Sequence, residues 1–171
     1  FDGHNSTRLT LDNSIAAGPE WTPNNNTLYY YSYRRHNADI YSHNLQTGAR
    51  QEVARYSGSN ISPAVSPDGR RLAMVLSKAG SPDIWVGNAN GTGLRRLTTT
   101  KEAESSPCWS PDGRWICFAS RAGGGTKLYK IPANGGAMSR IRTTGVFNAT
   151  EPDWSPDGKA IVFTTMRGGG V

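Results

Sequence analysis

Apolar residues in this chain come in runs of four to seven, broken by Gly, Pro, Asn and Asp, and no stretch keeps a helical period for three turns. That pattern predicts short strands joined by tight turns. The runs also recur. Leu28, Leu72, Ile116 and Ile161 each lie three residues beyond a turn. Ile40, Ile84 and Leu128 follow at intervals of 44, each beside an aromatic residue (Tyr41, Trp85, Tyr129). Leu9, Val53, Leu97 and Ile141 form another series at the same interval. Turn formers such as Ala79–Pro82, Asn88–Gly91, Gly123–Gly125 and Asn134–Gly136 fill the gaps.

The turn preceding the Leu72 series spells Ser-Pro-Asp-Gly at Ser66–Gly69, Ser110–Gly113 and Ser155–Gly158, with a degenerate copy at Thr22–Asn25. The prolines upstream of these turns, Pro19, Pro63, Pro107 and Pro152, are spaced by 44, 44 and 45 residues. A fixed period near 40–45 residues marks a repeat architecture. Each repeat reads as four strands, a to d; in the second these are 63–66, 71–77, 83–87 and 94–98. Four antiparallel strands per repeat make the chain all-β, a β-propeller of four-stranded antiparallel blades. The expected layout is strand d of a preceding blade at 1–12, blades at 18–58, 62–100 and 106–144, and the start of a further blade at 151–171. Residues 1–171 then form a partial propeller of about three full blades. Such an open arc exposes apolar flanks, which a second copy could cover by closing the ring.

Composition narrows the chemistry. Twenty glycines and ten prolines suit a turn-rich β protein. The net charge is +6. Arg8, Arg50, Arg55, Arg95, Arg96, Arg140 and Arg142 fall on or beside strand d, as a solvated edge that resists strand pairing. No basic run or RNA-binding signature points to nucleic acid, and no apolar run is long enough to insert in a membrane. Asp68, Asp112 and Asp157 are expected to shape turns, and Trp21, Trp109 and Trp154 to pack between blades. Cys108 and Cys117 flank one a–b turn and read as free thiols facing each other across the hairpin. There is no Gly-x-Ser-x-Gly elbow, and His4, His36 and His43 are scattered over a strand edge, a loop and a c–d connection.

The stretches Ser62–Ser81 and Leu128–Ala137, with the turn repeat, resemble the β-propeller of the TolB family across essentially the whole chain. The resemblance implies a six-bladed, non-catalytic propeller in the periplasm, part of the Tol–Pal cell-envelope system. There it would bind the peptidoglycan-associated lipoprotein Pal at the channel mouth, with a TolA-like protein contacting a separate α/β domain. It implies no obligatory cofactor, although some members hold calcium in the channel, for which Glu104 and Glu151 are the residues to consider. The same blades also fit the propeller of a prolyl-oligopeptidase or tricorn-like serine peptidase, gating access to a separate hydrolase domain.

Topology says where a partner would bind. The d–a linkers and b–c loops share one face, and the Ser-Pro-Asp-Gly turns share the other. The linkers read as Ala16–Gly18, Ser59–Ser62, Lys101–Ser106 and Asn148–Glu151, and they vary where the strands do not. The Pal-binding mouth carries over best to Ser59, Asn60 and Ser62, then Glu104, Ser105 and Ser106, then Thr150 and Glu151. Arg34, Arg35, Lys78, Arg121 and Arg167 in the b–c loops form a basic rim that would steer an acidic partner.

Overall fold

The computed structural model describes residues 6–122 and 124–166. These form strands and connections without a helix. The first blade runs β1 (Ala16–Trp21), β2 (Thr27–Arg35), β3 (Asn37–Asn44) and β4 (Arg50–Ala54). The second holds β5 (Asn60–Val65), β6 (Arg71–Leu76), β7 (Asp83–Asn88) and β8 (Arg95–Arg96). The third holds β9 (Glu104–Trp109), β10 (Trp115–Ser120), β11 (Lys127–Pro132) and β12 (Ser139–Arg140). A two-stranded sheet follows, β13 (Asn148–Trp154) and β14 (Ile161–Met166). Every sheet is an antiparallel meander in chain order.

The repeated turn is a closed hydrogen-bond circuit. Ser66 Oγ donates to Asp68 Oδ1 (2.6 Å) and accepts from Arg71 N (2.9 Å), while Asp68 also accepts from Arg70 N (3.1 Å). The same circuit recurs at Ser110 and Asp112 and at Ser155 and Asp157. Thr22 and Asn24 reproduce it without the motif's spelling. The Ser110 hydroxyl, the Arg114 N–H and the Arg114 side chain hold the Asp112 carboxyl down to about 2. These aspartates shape backbone, as their place in a turn suggests.

The first strand of each sheet starts earlier than its proline suggests. β5 pairs Ile61 with Val75 and Ala64 with Ala73, so it spends one extra residue. The same insertion occurs in β1, β9 and β13. At each, the residue before the proline is left-handed: Gly18 (φ 61°), Ser62 (52°), Ser106 (51°) and Glu151 (50°). Proline has no N–H for the ladder, so it sits in a β-bulge and pairing resumes on its far side. Most of the residues read as linkers are therefore strand residues.

Buried side chains fill the seams between sheets. Tyr29, Val53, Val65, Leu72 and Met74 join blades one and two; Val75, Ile84, Trp109, Ile116 and Phe118 join two and three. Cys117, Ala119, Leu128 and Ala149 join blade three to β13–β14. Trp109 crosses its seam, its Nε1 donating to Ala64 O at 2.9 Å. Trp21 does not follow: it is 51% exposed, because among the described residues no sheet packs on its side of blade one. Trp154 is half-buried and its Nε1 finds no acceptor.

Four other expectations change. Residues 6–12 form no strand, since among the described residues no strand c lies beside them, and Phe1–Asn5 lie outside the described residues. Strand d in the second and third blades has only two residues. Several edge arginines also have structural partners. Arg50 pairs with Asp12 and lies over the rings of Tyr30 and Tyr41, Arg96 pairs with buried Asp83 (2.8 Å), and Arg95 donates to Asn134 O and Ala133 O. His43 lies within β3 rather than in the c–d connection.

Candidate functional site

The d–a connections and b–c loops gather at one end of the sheets because Asn60 pairs with Leu76, Glu104 with Ser120 and Asn148 with Met166. β1, β5, β9 and β13 are the innermost strands. They wall a cavity of about 500 Å³ lined by Glu20, Ala64, Cys108 and Asp153 at one repeat position, with Pro63, Pro107 and Pro152 beside them. Burial pushes the Glu20 carboxyl above the usual carboxylate range, and the Asp153 charge adds to the rise.

Two of the residues expected to meet a partner point inward. Asn60 is fully buried. The two hydrogens of its Nδ2 have Ala38 O (3.0 Å), Tyr56 O (3.0 Å), Asp39 Oδ1 (3.3 Å) and Gly58 O (3.3 Å) within reach. Its Oδ1 accepts from Tyr56 N at 3.0 Å. Asn60 thus clamps the second blade to strand c of the first. Glu104, one period later, is 1% exposed and accepts from Thr98 Oγ1 (2.9 Å), Ser120 Oγ (3.2 Å) and Thr100 Oγ1. Burial pushes its carboxyl up despite these donors, and the Asp83 charge adds to the rise. Where the Asn60 amide can donate to Asp39, Glu104 offers Asp83 no amide, and Asp83 Oδ1 is left without a partner. Asn148 fills the same place in β13 and accepts from Thr126 N at 2.9 Å.

The remaining linker residues divide. Ser59 is exposed, its N–H donating to Ser77 Oγ at 2.7 Å. Ser62, Ser105, Ser106 and Thr150 are half-buried around the bulges. The exposed Glu151 accepts from Thr164 Oγ1 at 2.9 Å. Glu104 and Glu151 do not fit a calcium ion: hydroxyl donors take both Glu104 oxygens, and no metal-binding cluster of three or more His, Cys, Asp or Glu occurs among the described residues.

The b–c rim is basic, as expected, but its cations are not all free. Lys78 Nζ sits over the rings of Tyr56 (3.9 Å) and Trp85 (4.2 Å). Arg34 lies 5.7 Å from the Tyr41 ring centroid, and Arg35 pairs with Glu52 at 2.9 Å. Arg121 is exposed; Arg167 lies outside the described residues. Sequence reasoning missed the exposed aromatics on this face. Tyr56 and Phe147 stand in d–a connections and Tyr33 near a b–c turn, with Phe147 69% exposed. Lys127 donates to Phe147 O at 2.8 Å and holds that connection. Their signal is position: Tyr56 aligns with Thr100, and Phe147 with Ala103 and Ser59. Aromatic rings beside cations on a concave rim suit a protein interface.

The family model described as the TolB beta propeller domain matches residues 1–171. The Tol-Pal system protein TolB of Desulfosudis oleivorans is 39% identical over 98 residues, which are 57% of this chain and 22% of that protein. The TolB of Alcanivorax borkumensis is 39% identical over 80 residues, 46% of this chain and 18% of that protein. The matches thus span about a fifth of those relatives' length. Among solved structures, TolB from Acinetobacter baumannii superposes with a TM-score of 0.87 at 26% identity, covering 99% of this chain and 42% of that one. A puromycin hydrolase shares the fold (TM-score 0.70, 10% identity, 88% of this chain and 25% of that one). With a match over its whole length and four-stranded blades to support it, the chain belongs to the TolB β-propeller family.

Proposed function

We propose that this chain is a non-catalytic, protein-binding propeller of the Tol–Pal cell-envelope system, working in the periplasm. Its channel mouth would receive a Pal-like peptidoglycan-associated lipoprotein. The observation that carries the reading is the match of the whole chain to the TolB propeller, whose relatives are Tol-Pal system proteins. The mouth supports it physically. Tyr56, Phe147 and Tyr33 are exposed there beside Lys78, Lys127 and Arg34, while Asn60 and Glu104 hold the blades behind them. Aromatic side chains bury much area at low entropic cost, and the cations steer an acidic partner. A TolA-like protein is the second partner this reading assigns. No helix among the described residues is long and apolar enough to cross a membrane.

The test is a pull-down from envelope extract with the purified protein. Recovery of a peptidoglycan-bound lipoprotein supports the reading. Peptide hydrolysis in the bound fraction overturns it in favour of a peptidase propeller, a fold likeness the puromycin hydrolase illustrates. Light scattering on the isolated chain reads whether a second copy closes the arc.

A further inference from the structure

Cys108 and Cys117 are cross-strand partners in β9 and β10. Partner Cα atoms in an antiparallel pair lie about 4.5–5.5 Å apart, and a disulfide spans about 4.4–6.8 Å. Register partners project from the same face, and Cys108 packs against the cluster that holds Cys117. Both are free. The repeat does not require them. The equivalent pairs are Glu20 with Tyr29, Ala64 with Ala73 and Asp153 with Val162. Blade two therefore fills the position with two alanines and keeps the same bulge.

Access is unequal. Cys117 is fully buried, beside Ala119, Leu128 and Ala149. Cys108 is half-buried and lines the roughly 500 Å³ cavity between the inner strands. A reagent entering the cavity meets Cys108 and not Cys117.

We propose that blade three carries a redox modification site, in which Cys108 and Cys117 close a cross-strand disulfide when a small-molecule disulfide enters the cavity, with Cys108 as the entry thiol. The steps balance. The Cys108 thiolate attacks one sulfur of the oxidant and expels a thiolate, leaving a mixed disulfide. Cys117 loses its proton and attacks the Cys108 sulfur, forming the Sγ–Sγ bond and expelling the second thiolate. Two electrons pass to the oxidant, which leaves as two thiols carrying the two protons. The neighbouring Cys117 thiol, burial and the Asp153 charge all push the Cys108 thiol up. The first attack is therefore slow near neutrality and faster as pH rises, since only the thiolate is nucleophilic. The product would tie the two strands beside the Pro107 bulge, which limits the unfolded chain and raises the unfolding midpoint.

Glutathione disulfide on the purified chain tests this, independently of which partner the mouth takes. The expected product is monomeric, lighter by two hydrogens, without thiols titratable in denaturant, and with a raised thermal midpoint. Cys117→Ala should stop at a glutathione adduct on Cys108, and Cys108→Ala should stay unmodified. The Ala64–Ala73 pair of blade two shows that alanine is accommodated at these positions. Persistent thiols at alkaline pH overturn the proposal. So do a wild-type adduct that never resolves, intermolecular dimers as the sole product, or modification of Cys108→Ala as fast as Cys117→Ala.

Discussion

Replacing Asn60 with alanine should damage the blade seam and only secondarily the mouth. The side chain is fully buried and supplies two donor hydrogens and one acceptor. Each net hydrogen bond contributes about 1 kcal/mol, and a buried group left unpaired costs about 1–3 kcal/mol. Tyr56 N loses its acceptor at 3.0 Å, and the carbonyls of Ala38 and Tyr56 lose their donor. Together these amount to roughly 3–5 kcal/mol of lost stability, part of which entering water would return. Urea unfolding followed by tryptophan fluorescence reads this as a lower midpoint at unchanged slope. The neighbouring exposed Ser59→Ala should change stability by less than about 0.5 kcal/mol. If Asn60→Ala cost less than about 1 kcal/mol, or no more than Ser59→Ala, the clamp would be refuted.

Other outcomes follow from the same geometry. Trp109→Ala removes a seam side chain and its bond to Ala64 O, so it should cost about 3–5 kcal/mol, whereas Trp21→Ala should cost under about 1 kcal/mol; equal losses would contradict the asymmetry. Glu104 titrates above its ordinary value in the folded chain, so folding favours its protonated form. The stability this gives is present below about 4.5 and fades as pH rises through the raised value. Glu104→Gln should flatten that part of the pH–stability curve and be more stable near neutrality; a pH profile unchanged from wild type would refute the cause given. Reversing the charges of Arg34, Arg35 and Lys78 should slow association with an acidic partner and weaken its salt dependence, measured by stopped flow; unchanged rates would end the steering idea.

The blade was legible because its markers repeat. Ser-Pro-Asp-Gly fixes one turn by local chemistry, and the 44-residue spacing multiplies a weak strand pattern into a strong one. The bulge was not legible. Its left-handed position is Gly18, Ser62, Ser106 or Glu151, three residue types with no shared chemistry, so the sequence showed a proline where strand a would begin. The roles of Asn60 and Glu104 were misplaced for the same reason. Only the register across the bulge turns them inward, and a polar residue in an assumed linker reads as exposed. Two-residue edge strands such as β8 and β12 fall below what alternation can resolve, although Arg95 and Arg96 are held in place by Asn134, Ala133 and Asp83. Tyr56 and Phe147 were passed over because a lone aromatic in a polar connection carries no period. Comparison across the repeats exposes them as departures from Thr100 and Ala103.

The proposed function requires the mouth face, and not the turn face, to receive the partner. Calorimetric titration of the chain with the soluble domain of a Pal-type lipoprotein distinguishes the two faces, using Tyr56→Ala with Phe147→Ala on one and Asp68→Asn with Asp112→Asn on the other. The aromatic pair should weaken binding by about 10-fold or more while the turn pair leaves it within about 2-fold. Loss of binding through the turn pair, or equal affinity in all variants, would show that the partner does not dock at the mouth.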